Sequence, residues 1–193
     1  MADVTVKYKD STIAEIGSDG GTKTLKTSGK YCEGDIEITY ELPRENLILS
    51  SIESDKTPYN GGIGYKEGYR LNSSGIEKTL EGGVVSGFIP FTGGTVEVRV
   101  PSSNYSGVYN YLHVYDSSFA IIKKDSSGAT IDASYHQLGE WVKNYGATYV
   151  DEGDAIKFTI PAASLAISGT AYIRVSAYAD RTINSDTFAL YVN

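Results

Sequence analysis

One cysteine, one methionine, one tryptophan, two histidines and five prolines are spread over 193 residues, and each scarcity removes a class of chemistry. A single cysteine, Cys32, excludes an intrachain disulfide and a cysteine-built zinc site within one chain; its surroundings read as those of a small, half-buried strand residue. Two histidines, His113 and His136, leave little for Ser-His or Cys-His nucleophilic catalysis, and no G-x-S-x-G elbow is present. No stretch reaches the roughly 18 consecutive apolar residues of a membrane-spanning helix, so a membrane is not an expected partner. The opening MADVTVKYKD lacks the basic n-region and apolar h-region of a secretion signal, and the expectation is synthesis and folding in a cytoplasm. Positive charge is short as well. Seventeen Lys and Arg against 24 Asp and Glu give a formal net charge of −7, which repels a phosphate backbone. Nucleic acid is not an expected partner, and neutral saccharides or protein surfaces fit the charge better than polyanionic polymers.

Tyrosine is abundant where phenylalanine is not, 16 against five. Phe fills a core without needing a hydrogen-bond partner, whereas the phenol end of Tyr has to be paired or hydrated, so many of these rings are expected at surfaces. Tyr together with Ser, Gly and Asn is the chemistry of recognition surfaces, and it is also common on solvent-facing sheets.

Alternation with period two dominates the pattern. Val96, Val98 and Val100 share one side of TVEVRV; Ile156, Phe158 and Ile160 share one side of AIKFTI. In AYIRVSAY, Ala171, Ile173, Val175 and Ala177 are expected inside and Tyr172, Arg174, Ser176 and Tyr178 outside, while Phe188, Leu190 and Val192 form the inner side of FALYVN. Turn clusters recur at Asn60-Gly61-Gly62, Ser73-Ser74-Gly75, Gly82-Gly83, Gly93-Gly94, Ser126-Ser127-Gly128 and Glu152-Gly153-Asp154. Many short two-faced strands give an all-β fold: an antiparallel β-sandwich, jelly-roll-like, over 46–193, preceded by a small β module over 1–42. Pro43, Arg44 and Glu45 mark the boundary. The module, with VTVKY, TIAEI and DIEITY as its strands, is close to the roughly 40-residue size below which independent folding usually needs help, so it is expected to lean on the larger domain, on another subunit in a homo-oligomer, or on an assembly with other proteins. The stretch DASYHQLGEWVKNYG has near-helical spacing of Tyr135, Leu138, Trp141, Val142 and Tyr145 after a cap candidate at Asp132, but Gly139 weakens it, and a short helix and an irregular loop both remain open.

The run YNGGIGYKEGYRLNSSG, residues 59–75, is not a phosphate loop. Gly62, Gly64 and Gly68 are spaced G-x-G-x-x-x-G, no apolar strand precedes them and no helix follows. It reads as a strand-and-turn element with Tyr65, Tyr69 and Leu71 on one side and Arg70 on the other. No cofactor motif and no metal-ligand series is present; Asp151 to Asp154 could offer oxygen ligands to calcium, with a solvated turn as the plainer reading. Paired carboxylates of the glycosidase kind are spatial and invisible to this reading, and no W-x-E cluster points to them. No catalytic residue is assigned. What remains is the tyrosine-rich side of two strands. Tyr109, Tyr111, His113 and Tyr115 on one, with Tyr172, Arg174 and Tyr178 on the other, make either an aromatic platform for a sugar ring or a set of cross-strand and interface packing residues.

Residues 24–40, TLKTSGKYCEGDIEITY, with VTVKYKDSTIAEI before them, resemble a small module of tail and baseplate-associated proteins from phages and prophages of Gram-positive, often gut, bacteria. The pattern there is T-L-x-T-x-G-K-Y-x-x-x-D-I-x-V-x-Y; Leu25, Thr27, Gly29, Lys30, Tyr31, Asp35, Ile36 and Tyr40 match, and Ile38 replaces the valine. NGGIGYKEGYRLNSSG, VYDSSF and AYIRVSAY are more loosely similar to β-sandwich domains of the same proteins. The resemblance implies a non-enzymatic virion component, localised to the virion, partnered by other phage structural proteins and by a host surface glycan or another tail protein. A stand-alone bacterial carbohydrate-binding or adhesin module is the alternative.

Overall fold

The computed structural model describes residues 4–8, 11–16, 21–27, 34–40, 44–105, 109–123, 136–165 and 169–193. Cys32, the Gly29-Lys30-Tyr31 triplet, the Ser126-Ser127-Gly128 turn, Asp132 and Tyr135 lie outside the described residues. The chain divides into two compact units, Met1–Glu45 and Asn46–Asn193.

The first unit contains two antiparallel ladders. β1 (Val4–Tyr8) pairs with β2 (Ser11–Ile16), setting Val4 opposite Ile16 and Val6 opposite Ala14. β3 (Gly21–Thr27) pairs with β4 (Gly34–Tyr40), setting Leu25 opposite Ile36. Three strands were expected here; the additional one, GTKTLKT, has Leu25 as its single large apolar residue, so alternation alone does not reveal it.

In the second unit β5 (Tyr65–Leu71), β6 (Glu77–Ser86), β7 (Ile89–Pro90), β9 (Tyr111–Tyr115) and β12 (Tyr172–Tyr178) form one sheet. β12 is its spine, with β6 and then β7 along one side and β9 along the other. The second sheet has the order β10 (Thr148–Asp151), β11 (Ile156–Ile160), β8 (Val96–Val100), β13 (Ala189–Val192), again antiparallel throughout. The chain passes from one sheet to the other between β7 and β8, β8 and β9, β9 and β10, β11 and β12, and β12 and β13, which gives the jelly-roll character; β5–β6 and β10–β11 stay within a sheet as hairpins.

The alternating apolar residues bury as the pattern requires. Val98 lies between Phe158 and Leu190 in register across three strands, and Val96, Val98, Val100, Ile156, Phe158, Ile160, Phe188 and Leu190 join Leu112, Val114, Ile173, Val175 and Ala177 of the facing sheet in one core. Each such Val, Leu, Ile or Phe side chain withdrawn from water contributes about 1.5–3 kcal/mol. The helical alternative prevails over 138–144: α1 (Leu138–Asn144) buries Leu138 and Trp141 against that core, enough to hold a short helix despite Gly139. Its N-cap is Gln137, in extended conformation and without a side-chain cap bond.

Candidate functional site

The structure brings most of the tyrosine-rich residues together. In the β9–β12 ladder Tyr115 lies opposite Tyr172, His113 opposite Arg174 and Tyr111 opposite Ser176. Tyr109, just before β9, receives a hydrogen bond from the Ser176 hydroxyl on its carbonyl (3.4 Å) and carries the Arg70 guanidinium over its ring at 4.6 Å. Tyr178 stands at the far end of β12, exposed.

This side of the sheet is not the open surface that alternation implies. Tyr111, His113, Tyr115, Arg174 and Ser176 are 6, 0, 2, 4 and 0% exposed, which corrects the expectation that they face solvent. The cover is the β5–β6 hairpin. Its register breaks between Glu67 and Tyr69, where β6 jumps from Val84 to Thr79. Gly82 there has φ +73°, and a Cβ on Gly83 would sit 2.5 Å from the Tyr69 carbonyl oxygen, so both the bend and the close approach require glycine. Past the break the hairpin curls over the sheet: the Leu71 amide donates to the Ser176 hydroxyl (3.2 Å), Glu77 reaches Arg174, and the Tyr115 hydroxyl donates to the Gly75 carbonyl (3.1 Å). The same break separates Tyr65, whose ring meets Phe188 edge-on, from exposed Tyr69 and buried Leu71, so the three do not share one environment as expected. The result is a half-barrel with a polar, aromatic interior.

Arg174 organises that interior. Between Val85 and Ile89 the ladder to β12 is interrupted at Ser86-Gly87-Phe88. There the Ser86 hydroxyl accepts the Val175 amide (2.9 Å), and the Arg174 guanidinium donates twice to the Ser86 carbonyl, from Nε at 2.9 Å and Nη2 at 2.7 Å. Nη2 also bonds Glu77 Oε1 at 2.5 Å, and the Tyr59 hydroxyl donates to the same oxygen at 2.8 Å. Phe88 lies under the guanidinium at 4.6 Å. Burial raises the Glu77 carboxyl, but the hydrogen bond and charge of Arg174, the Tyr59 hydroxyl and the Lys66 ammonium outweigh it, leaving the group below its usual range. Burial raises Tyr59 despite the nearby Arg174, and raises Tyr115 to about 12. Both phenols are neutral donors at physiological pH.

His113 stacks on Tyr111 (5.0 Å) and meets His136 at a 40° tilt (4.6 Å). Burial, then the neighbouring His136 and Arg174, hold His113 well below its ordinary value, and burial holds His136 down to about 4. Neither ring nitrogen of His113 makes a well-formed hydrogen bond among the described residues, and the Asn72 backbone offsets only the least part of the downward shift. This stack is a packing element of neutral imidazoles.

Several residues that close the site escape sequence reasoning: Tyr59, Glu77, Ser86, Phe88 and His136. Glu77 and Arg174 are 97 positions apart, and no local pattern links them. The visible signal was the pair of glycines at 82 and 83, read as a turn when it marks a bend inside a strand. At the calcium candidate, Asp151 pairs with Arg181 (2.8 Å), and Glu152 pairs with Arg99 (2.5 Å) and Lys157 (2.8 Å), with Asp154 3.8 Å from Arg99. These carboxylates are turned to cations of the same surface, and no group of three metal-ligating side chains occurs among the described residues.

Comparison with protein-family models, with curated proteins and with solved structures finds no match to this chain.

Proposed function

We propose that the chain is a non-enzymatic virion component, a tail, baseplate or fibre accessory protein whose second unit serves recognition or display toward a host surface glycan or another tail protein. The observation that carries the non-enzymatic part is the use made of the polar face. Arg174, Glu77, Tyr59 and the two imidazoles, the residue types on which acid–base chemistry draws, are committed to a ladder repair, an ion pair and a ring stack inside the half-barrel. The virion part is supported by the resemblance of residues 24–40 to the small module of tail-associated proteins. Mass spectrometry of particles purified after prophage induction in the source strain tests it. The chain is expected among the structural proteins at constant stoichiometry to the tail components. Recovery from the cell envelope with none in particles would overturn the virion reading in favour of a bacterial adhesin module.

A further inference from the structure

We propose that Phe119, stacked on Tyr172 at the tip of the loop after β9, forms an aromatic subsite for the apolar face of a neutral saccharide ring. The inference deepens the recognition reading above and rests on it.

The loop Asp116–Ala120 is a tight hairpin turn. Asp116 donates its amide to the Ala120 carbonyl (2.9 Å), Phe119 donates its own to the Asp116 carbonyl (3.0 Å), and Tyr115 bridges to Ile121. The Asp116 carboxylate oxygen fixes the tip by accepting the Ser118 amide (2.8 Å), the Ser118 hydroxyl (2.6 Å) and the Ala120 amide (3.0 Å). In such a turn the third loop residue takes the left-handed conformation, normally filled by glycine or asparagine. Here that residue is Phe119, at φ +65°. Among the described residues, the other non-glycine positions with positive φ are Lys56 and Asn60, and neither carries an aromatic ring. The backbone bonds of the turn need no side chain at 119, so the turn by itself calls for glycine and the sequence supplies a strained phenylalanine instead.

The ring has a defined place. It stacks on Tyr172 with centroids 4.5 Å apart and 23° between planes, and meets Phe88 edge-on at 4.8 Å. Phe88 also meets Tyr115 at 4.9 Å and the Arg174 guanidinium at 4.6 Å. Phe119 and Tyr172 both remain partly exposed, and Ser117, Ser118 and Ala120 around them are exposed and uncharged. A tip pinned by Asp116 that holds a stacked pair of partly exposed rings among small neutral groups presents the exposed ring surface of that stack to the C–H face of a sugar, with the exposed Ser117 hydroxyl for one of its hydroxyls. The Asp116 carboxylate beside it disfavours acidic sugars.

The test is a panel of neutral monosaccharides and short neutral oligosaccharides, titrated into the full chain and followed by aromatic chemical-shift changes, in wild type, Phe119→Gly and Phe119→Trp. Wild type is expected to respond at Phe119 and Tyr172, Phe119→Trp to retain binding, and Phe119→Gly to lose about tenfold in affinity. Because glycine relieves the backbone strain, Phe119→Gly is expected to melt within about 2 °C of wild type or above it. Equal binding by wild type and Phe119→Gly would place recognition elsewhere and overturn this subsite alone. No response of wild type to any member of the panel would overturn the saccharide reading itself. A large drop in melting temperature for Phe119→Gly would make the ring a packing residue and remove the reason for a subsite.

Discussion

The two sides of one sheet are built on opposite principles. Ile173, Val175 and Ala177 of β12, with Leu112 and Val114 of β9, press a dry aliphatic layer against the facing sheet. One residue along, Arg174 and Ser176 with Tyr111, His113 and Tyr115 line an interior that is equally closed but held by directed bonds. The first layer is non-directional: its stability scales with apolar area and with the absence of voids. The second depends on Arg174, Glu77, Tyr59 and Ser86 keeping their partners, because an unpaired donor or carboxylate in a closed space costs more than the bond it forms contributes. Closure thus comes from two sources, and they fail in different ways.

The largest effect is expected on the dry side. Phe158→Ala removes a fully buried ring from the middle of three strands and is expected to destabilise by about 4 kcal/mol in chemical denaturation, with the loss tracking the cavity left behind. Next comes Arg174→Met, expected to cost about 3 kcal/mol, because it strips the Ser86 carbonyl of its donor and Glu77 of its buried cation without leaving a large void. The two faces separate in the double variant. Adding Glu77→Leu to Arg174→Met is expected to recover about half of that loss, whereas a second truncation in the dry core adds to the first. A double variant as unstable as the sum of its singles would mean that the polar interior behaves like the aliphatic one.

Acid is the next lever, and it acts on the polar side alone. The imidazole of His136 is held from 6.5 down to about 4 by burial, and His113 is held well below 6.5. The unfolded chain therefore binds protons that the folded chain refuses, so stability is complete above the unfolded value and falls as pH drops through 6.5 toward 4. From pH 7 to pH 5 the loss from His136 is expected to be about 2 kcal/mol, and His136→Phe should flatten that slope. The smallest effect is expected on the outer surface, where Arg181→Ala removes the two bonds to Asp151 (2.8 and 3.0 Å) and should leave the denaturation midpoint unchanged, with any residual shift vanishing at high salt.

The dry layer was legible in the sequence residue by residue, because Val96-Val98-Val100 and Ile156-Phe158-Ile160 alternate with polar neighbours and nothing else buries such a pattern. The closed polar layer was not. Period two says that Arg174 and His113 point away from Ile173 and Val114, but it cannot say whether water or another part of the chain lies on that side. The answer sat in Gly82-Gly83, whose bend folds the hairpin over, and in the pairing of Glu77 with a residue near the other end of the chain. The tyrosine-rich set was likewise legible as one cluster, since Tyr111, His113, Tyr115, Tyr172 and Arg174 share a ladder. Its environment was not, because a phenol tip can be satisfied by Gly75 or Glu77 as well as by water. Phe119 carried a readable sign that only a turn assignment exposes: Asp-Ser-Ser-Phe has the hairpin's aspartate and no glycine where the turn wants one.

With just two histidines in the chain, imidazole proton resonances report on the half-barrel without ambiguity. Titrated by NMR from about pH 8 to about pH 5.5, both rings are expected to show the constant shifts of neutral imidazole, since a closed interior beside Arg174 resists a second positive charge. A ring that titrates near 6.5 while the protein stays folded would place it in water, and the polar face would then be the open surface that its alternation first implied.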